Sequence, residues 1–125
     1  MQVKIYYHHT DAGGIVYYAN YLKFLEEART EFLAERRVSV KELAGSGTLF
    51  VVARQEIDYK APAFYGDVLE AGARIAKCTG VRIEFEHEIR NQHRQLVAKA
   101  RTTLVCVDKN LNPKTIPEEI RRVVG

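Results

Sequence analysis

One long amphipathic segment, followed almost entirely by strand-like segments, most constrains how this chain can fold. From Asn20 to about Val38, apolar residues recur at helical spacing. We expect Asn20 to be the N-cap of this helix. The stripe contains Tyr21, Leu25, Ala28 and Phe32, extended by Leu22, Arg29 and Leu33. Because so broad a face must be packed along much of its length, the helix needs a large partner surface.

Strand patterns fill most of the remaining chain. The polar stretch 9–14 contains Gly13 and Gly14 and must be a loop. A helical turn is possible at 41–44, and a short helix should follow Pro117 over residues 118–123. The predicted strands are, in order, residues 2–8, 49–59, 68–77, 82–90 and 95–108. The fourth alternates cleanly and directs one face inward, formed by Ile83, Phe85, His87 and Ile89.

The order of these elements predicts the fold class. Short turns join the last four strands, and short turns force antiparallel pairing because a parallel crossover needs a dozen or more residues. The only partner for the long helix is then one face of that sheet. We therefore predict an α+β hotdog fold, a curved antiparallel sheet of about five strands wrapped around one long helix, as a single domain over residues 1–125.

Composition excludes several classes of protein. The chain is 46% hydrophobic and 28% charged with a net charge of +3, which is typical of an ordinary globular protein. Neither a membrane span, a signal peptide nor a basic stripe for nucleic acid is present, so we expect a cytoplasmic protein. Cys78 and Cys106 are the only cysteines, and without CxxC spacing we expect them to be small buried side chains. Long sheet edges invite pairing with a second copy, so we expect a homodimer.

Asp11 is the residue with the clearest chemical potential. It lies in the predicted loop, with glycines after it and the start of the long helix a few residues on. A helix N-terminus offers unpaired N–H groups and a partial positive charge, and glycines allow a ligand to approach closely. Such a carboxylate could attack an acyl group or activate water, while the N–H groups receive the oxyanion. A turn or helix cap is an equally good interpretation of Asp11 from this segment alone.

Two segments resemble a known family. The run YYHHTDAGGIVYYANYLKFLEEAR, residues 6–29, and the later DYKAPAFYGD, residues 58–67, resemble the 4-hydroxybenzoyl-CoA thioesterases and YbgC-like acyl-CoA thioesterases. The resemblance implies acyl-CoA as substrate and no cofactor other than the coenzyme A within it. It also implies a homodimer, which in this family often pairs into a dimer of dimers.

The same resemblance implies roles for single residues. Asp11 matches the catalytic aspartate, Tyr7 a tyrosine near it, and Gly14 the glycine of the motif. The backbone N–H of Tyr18 matches the oxyanion donor, and Asn20 opens the helix.

Two positions depart from the family pattern. His9 replaces the first acid of the usual Asp-Thr-Asp, which alters the charge around Asp11. Tyr18 replaces a histidine that is common in the YbgC-like branch, so the resemblance implies only the backbone role at this position and no side-chain acid or base role.

Other polar residues have competing interpretations. His8 and His9, as neighbours on a strand, would point to opposite faces and chelate poorly, so no metal is expected. His87 is expected to be a satisfied core or interface histidine. Lys77 and Arg82 flank a turn at a sheet edge and are the best candidates for contacting coenzyme A phosphates, although a solvated face explains either one as well.

Thioester hydrolysis is thus the leading hypothesis, with acyl-CoA preferred to an acyl carrier protein. Asp11 acts either as nucleophile or as general base, and the residues do not distinguish the two. The main alternative is a non-catalytic acyl-thioester binding module, which would bind the thioester without releasing a thiol. A dehydratase on the same fold is a further alternative, which water loss from a 3-hydroxyacyl thioester would reveal.

Overall fold

All six strands join one antiparallel sheet, and one long helix packs across its inner face. The computed structural model describes residues 1–124. The strands are β1 (Gln2–Lys4), β2 (Leu49–Tyr59), β3 (Val68–Ala71), β4 (Arg74–Thr79), β5 (Arg82–Arg90) and β6 (Leu96–Val107). The helices are α1 (Asn20–Glu35), α2 (Val40–Gly45) and α3 (Glu118–Arg121), with a one-turn 3-10 helix at Tyr7–His9. The predicted α+β hotdog fold is confirmed.

The sheet order places β2 at an outer edge. The strands run β1-β3-β5-β6-β2, and β4 also pairs with β5. β2, β5 and β6 form the broad part of the sheet, and a bulge interrupts the pairing of β2 with β6 between Val52 and Arg54. One side of the 11-residue β2 pairs with β6, while its other side is open in the single chain.

The core consists of two apolar clusters arranged along α1. Tyr21, Phe24, Leu25 and Ala28 join the cluster under the first half of the helix. Phe32 and Leu33 join the cluster under its second half. The predicted helical stripe is therefore buried as expected except at Leu22, which is 47% exposed.

The ends of α1 follow from local hydrogen bonding. Arg37 adopts a left-handed backbone with φ 63°, and the N–H of Val38 donates to the carbonyl of Leu33 at 2.9 Å. These features close α1 at Glu35, slightly before Val38, where the sequence predicted its end. The start differs from the prediction. Ala19 is the N-cap without a side-chain cap, and Asn20 is the first helical residue because its amide is used elsewhere.

Two predicted strands are corrected. The first ends at Lys4 rather than His8, since residues 7–9 form the 3-10 turn. The predicted strand 68–77 is interrupted at residues 72–73, so the sheet has six strands rather than about five. The pairing register with β5 continues across the interruption. There the carbonyl of Gly72 is bonded by the His87 ring, Nδ1 to O 3.0 Å, instead of by a backbone group of β5.

His87 is buried on the inner face of β5, as the alternation predicted, yet only one of its two ring nitrogens has a hydrogen-bond partner within residues 1–124. Nδ1 pairs with Gly72, but Nε2 has no hydrogen-bond partner among the described residues. Burial lowers the pKa of His87 to about 4, with the positive charge of Arg29 acting in the same direction. The folded protein thus holds this ring neutral.

Among residues 1–124, no helix has the length and apolar character needed to cross a membrane.

The depressed pKa of His87 predicts a pH-dependent stability. The unfolded chain takes up a proton near pH 6.5 and the folded chain only near 4, so the free energy of unfolding should fall by about 3 kcal/mol as the pH drops from 6.5 to 4. His87→Asn places an amide nitrogen near the position of Nδ1, so it keeps a donor for Gly72 and cannot titrate. Denaturant unfolding across this range should show a shallower loss for the variant, and equal losses in both proteins would contradict the prediction.

Candidate active site

The loop before α1 is a tight turn organised by Asp11. The Asp11 N–H donates to the carbonyl of Ile15 at 2.9 Å, and the Gly14 N–H donates to the carbonyl of Asp11 at 3.0 Å. The side-chain Oδ1 of Asp11 accepts the N–H of Gly13 at 2.8 Å. Asp11 therefore does cap a turn, but one oxygen is enough for this, and Oδ2 makes no hydrogen bond within residues 1–124. The side chain as a whole is exposed in the single chain.

Two glycines make this turn possible for different reasons. Gly14 has φ +83°, a backbone conformation that side chains disfavour. At Gly13 an added Cβ would lie 3.1 Å from Oδ1 of Asp11. Gly14 thus meets the positive φ of the turn, whereas a side chain at position 13 would push the Asp11 carboxylate by a few tenths of an ångström.

The carbonyl of His9 ties this loop to the start of α1. It accepts the N–H of Tyr17 at 2.9 Å and Nδ2 of Asn20 at 2.8 Å. The N–H of Val16 donates to the carbonyl of Ala63 at 2.8 Å, which holds the same loop against the segment before β3. Asn20 therefore has a positioning contact in its own chain, since its amide binds the loop that carries Asp11.

Backbone N–H groups at the helix start are free to bind a ligand. Within residues 1–124, neither the N–H of Tyr18 nor that of Ala19 donates a hydrogen bond. Both peptide planes are held from their carbonyl sides. The carbonyl of Tyr17 accepts the N–H of Asn20 at 2.9 Å, and the carbonyl of Tyr18 accepts the hydroxyl of Tyr59 at 3.1 Å. The two N–H groups are thus fixed in orientation as well as unpaired.

Four tyrosines surround this helix start. Tyr18 stacks edge-on with Tyr17 and Tyr59, at ring-centroid distances of 4.9 and 6.3 Å. Tyr21 is buried behind them, and burial raises its pKa to about 12, with a smaller effect from Tyr59. Burial also raises the pKa of Tyr59, so its hydroxyl stays protonated and donates to Tyr18. The sequence reasoning missed Tyr59, because only pairing within the sheet brings the end of β2 to the helix start.

The side chain of Tyr7 makes no hydrogen bond with the Asp11 carboxylate. Its ring is 76% exposed and meets the edge of Tyr65 at a centroid distance of 6.0 Å. Its carbonyl accepts both the N–H and the hydroxyl of Thr10, at 3.0 and 2.7 Å. In the single chain Tyr7 thus supports the turn through its backbone.

His8 and His9 lie on a 3-10 turn, so the expectation that they point to opposite faces of a strand is wrong. Their ring centroids are 4.0 Å apart. Burial lowers the pKa of His9, and the charges of His8 and Lys23 lower it further. His9 Nδ1 accepts the N–H of Tyr6 at 2.8 Å, which suits a neutral ring. No group of three or more His, Cys, Asp and Glu side chains suited to a metal occurs in residues 1–124.

Lys77 and Arg82 are not brought to this site within one chain. They pair with Glu84 and Thr79 around the β4–β5 turn, and both are exposed. The carbonyl of Gly80 in that turn binds Arg121, next to the cluster under the second half of α1. Asp11 precedes the other end of this 16-residue helix, which spans about 24 Å. Within one chain these two cations therefore lie toward the opposite end of α1 from Asp11.

The arrangement combines a free carboxylate oxygen with two oriented, unpaired N–H groups a few residues along the chain. A carboxylate can act as a base or nucleophile, and a pair of N–H groups can stabilise the negative oxygen of a tetrahedral intermediate. These are the components of acyl-transfer chemistry.

Comparison with known proteins gives a consistent likeness. The family model described as the thioesterase-like superfamily matches residues 6–124. The chain is 38% identical over 119 residues to the acyl-CoA thioester hydrolase YbgC of Escherichia coli O6:H1, covering 94% of this chain and 89% of that protein. A solved structure of a hypothetical protein from Aquifex aeolicus superposes with a TM-score of 0.93 at 30% identity, covering 100% and 98% of the two chains. A gentisyl-coenzyme A thioesterase superposes with a TM-score of 0.90 at 26% identity, covering 97% and 98%.

The turn geometry predicts unequal effects of two glycine substitutions. Gly14→Ala forces a side chain into positive φ and should lower the free energy of unfolding by about 1 kcal/mol. Gly45→Ala, at the end of α2 with open space around it and no positive φ, should be neutral or slightly stabilising. Chemical denaturation of both variants checks this, and equal effects would argue against a strained turn.

Proposed function

Because the chain belongs to the thioesterase-like superfamily, we propose that it hydrolyses acyl-coenzyme A thioesters to the free acid and coenzyme A. The observation that carries the proposal is that Oδ2 of Asp11 makes no hydrogen bond within residues 1–124 and that the N–H groups just before α1 are unpaired there as well. The acyl-CoA thioester hydrolases among its relatives support the same substrate class.

The reaction needs one oxygen of Asp11. Oδ1 is occupied by the Gly13 N–H, so Oδ2 is the reactive atom. As a general base, Oδ2 takes a proton from a water whose oxygen attacks the thioester carbonyl carbon. As a nucleophile, it forms an acyl anhydride that water then hydrolyses. In both routes the carbon–sulfur bond breaks and the coenzyme leaves as a thiol once its sulfur gains a proton.

The N–H groups of Tyr18 and Ala19 form the oxyanion site in this proposal. They point from the start of α1, where the partial positive charge of the helix adds to their effect. One such donor is typically worth about 3 to 4 kcal/mol of transition-state stabilisation. The Tyr59 hydroxyl is a positioning group, because it holds the peptide that carries the Ala19 N–H.

We further propose that the active site is completed in a homodimer. Asp11 and Tyr18 are exposed in one chain, whereas hydrolysis of a thioester benefits from a sheltered site. The open edge of β2 offers 11 residues for sheet extension across a two-fold axis. Pairing of two such dimers into a tetramer, contact of Lys77 and Arg82 with the coenzyme, and a cytoplasmic location stay predictions from the sequence.

Substitutions at Asp11 and Tyr18 test the site. Asp11→Asn keeps an oxygen for the Gly13 N–H but loses the basic oxygen, so kcat should fall at least about 1000-fold with an unchanged melting temperature. Tyr18→Pro removes one oxyanion donor at a position before α1 whose N–H makes no hydrogen bond within residues 1–124, and should lower kcat about 100-fold relative to Tyr18→Phe. Thiol trapping with acyl-CoAs of several lengths measures the rates. If Asp11→Asn retained a third of the activity, the assignment would be wrong, and tight binding without thiol release would indicate a binding module instead.

The mass of the particle in solution tests the proposed dimer. Sedimentation equilibrium should give twice the 14.3 kDa chain mass, or four times if dimers pair. A particle of single-chain mass at micromolar concentration that still hydrolyses acyl-CoA would contradict a site shared between copies.

A further inference from the structure

Arg29 is a buried cation without a counter-ion. It lies on the sheet-facing side of α1 with 8% of its surface exposed. Its NH1 donates to Oγ1 of Thr102 on β6 at 3.2 Å, and Thr102 in turn donates to Oε1 of Gln55 on β2 at 2.7 Å. No salt bridge of Arg29 with any carboxylate of residues 1–124 is formed, although nine-tenths of the side chain is withdrawn from water.

The groups that face Arg29 do not neutralise it. Glu26, one turn earlier on α1, lies beyond ion-pair distance, and its carboxylate accepts the hydroxyl of Thr30 at 3.4 Å. His87 on β5 is neutral, and Thr102 and Gln55 are uncharged. Burial lowers the pKa of Arg29, yet a guanidinium stays protonated at neutral pH. A buried charge that lacks an opposite charge is strongly disfavoured, so the site favours an anion supplied from outside the chain.

A cavity leads to this guanidinium. It measures about 180 Å³ and lies between α1, α2 and the strands β2, β5 and β6. Its walls are mainly apolar, formed by Leu33, Val40, Phe50, Val52, Phe85 and Leu104. Its polar residues are Arg29, Glu26 and Thr30, of which Arg29 is the only cation and Glu26 the only anion. An apolar cavity of about 150 Å³ admits a molecule the size of benzene, so this one has room for a chain of about five or six heavy atoms. A mainly apolar cavity with a guanidinium in its wall suits a short hydrocarbon chain whose negative end reaches Arg29, while the Glu26 carboxylate is engaged by the Thr30 hydroxyl.

We propose that this cavity binds the distal end of the acyl group and that Arg29 binds a terminal carboxylate there. The preferred substrates would then be coenzyme A thioesters of dicarboxylic acids. The inference rests on the proposed thioesterase function and adds to it the class of acyl group. A guanidinium pairs with a carboxylate through two parallel hydrogen bonds, which gives both affinity and geometric selection.

In the proposed dimer, pairing of the β2 edges places the cavity of one copy beside the Asp11 loop of the other. Phe50 and Val52 are at the beginning of β2, whereas Tyr59, which contacts the start of α1, is at its end. A two-fold axis through the middle of β2 lays the beginning of one strand against the end of the other. The cavity of one copy then lies next to the Asp11 loop of the other. Within one chain, Arg29 is nine residues from Asn20, about 13 Å along the helix.

Matched substrates test the proposal directly. Adipyl-CoA and hexanoyl-CoA share a six-carbon chain and differ in the terminal carboxylate, as glutaryl-CoA and pentanoyl-CoA do at five carbons. The wild-type protein should have a kcat/KM about 10 to 100 times higher for the carboxylated member of each pair, as expected for a charge-assisted hydrogen bond. Equal values, or a preference for the neutral member, would overturn the proposal.

Arg29→Met tests whether the guanidinium causes the preference for the carboxylated substrates. This variant fills a similar volume without charge and should bring the ratio of the two kcat/KM values close to one. Arg122→Met, which removes an exposed arginine of the C-terminal segment, should leave the ratio at its wild-type value. A purely structural Arg29 would lower both rates together and keep the ratio, and that result would contradict the inference. If Arg29→Met does not fold, Arg29→Lys retains the charge without the two-pronged geometry and should show an intermediate ratio.

A binding measurement separates this inference from the proposed function. Calorimetric titration of the Asp11→Asn protein compares the affinities for adipyl-CoA and hexanoyl-CoA without turnover. A tenfold or greater preference for adipyl-CoA supports the cavity assignment even if the wild-type protein hydrolyses neither thioester, in which case the proposed hydrolysis alone fails. Equal affinities overturn the cavity assignment even if hydrolysis is rapid.

Discussion

The packing of α1 onto the inner face of the sheet is the constraint on which the other features depend. It buries two apolar clusters, one under each half of the helix, and so fixes the helix against β5, β6 and their neighbours. Because the helix cannot move, its first turn is held beside the end of β2 and the loop that carries Asp11. The candidate site is therefore a consequence of core packing, built at the one place where helix, loop and edge strand meet.

The carbonyl groups at the helix start are hydrogen-bonded, whereas the neighbouring N–H groups of Tyr18 and Ala19 are unpaired within residues 1–124. The His9 carbonyl accepts two hydrogen bonds that hold the loop, and the Tyr17 and Tyr18 carbonyls are bonded so that the N–H groups on the other sides of their peptides are oriented. An unpaired but oriented donor stabilises developing charge without reorganising during the reaction. The turn at Asp11 follows the same logic, because one carboxylate oxygen maintains the loop and the other is free.

A polar stripe divides the two apolar clusters. Gln55, Thr102 and Arg29 form a chain of hydrogen bonds from the edge strand to the middle of the helix, and the neutral His87 lies nearby. Buried polar groups of this kind are normally fully paired. Here one ring nitrogen has no partner and one guanidinium has no counter-ion, and both lie on the face of the sheet that α1 covers. In the proposal that Arg29 binds the acyl group, this departure from ordinary core composition connects the interior of the fold to the choice of ligand.

The sequence by itself determined the helix, the antiparallel strands and the loop with Asp11, because periodicity, glycine and proline are local signals that act over a few residues. It identified Gly14 and the helix start for the same reason. It extended β1 too far, missed the break at residues 72–73 and misplaced the cap of α1. The turn after β1 depends on a local bond from the Tyr6 N–H to the His9 ring, which strand alternation does not reveal. The break and the start of α1 depend on the ring of His87 and the carbonyl of His9, which lie 15 and 11 positions from their partners. Only the tertiary structure revealed the roles of Tyr59 and Arg29. Contacts such as Tyr59 with Tyr18 and Arg29 with Thr102 join residues 41 and 73 positions apart, and no local pattern encodes which side chains a folded sheet will bring together.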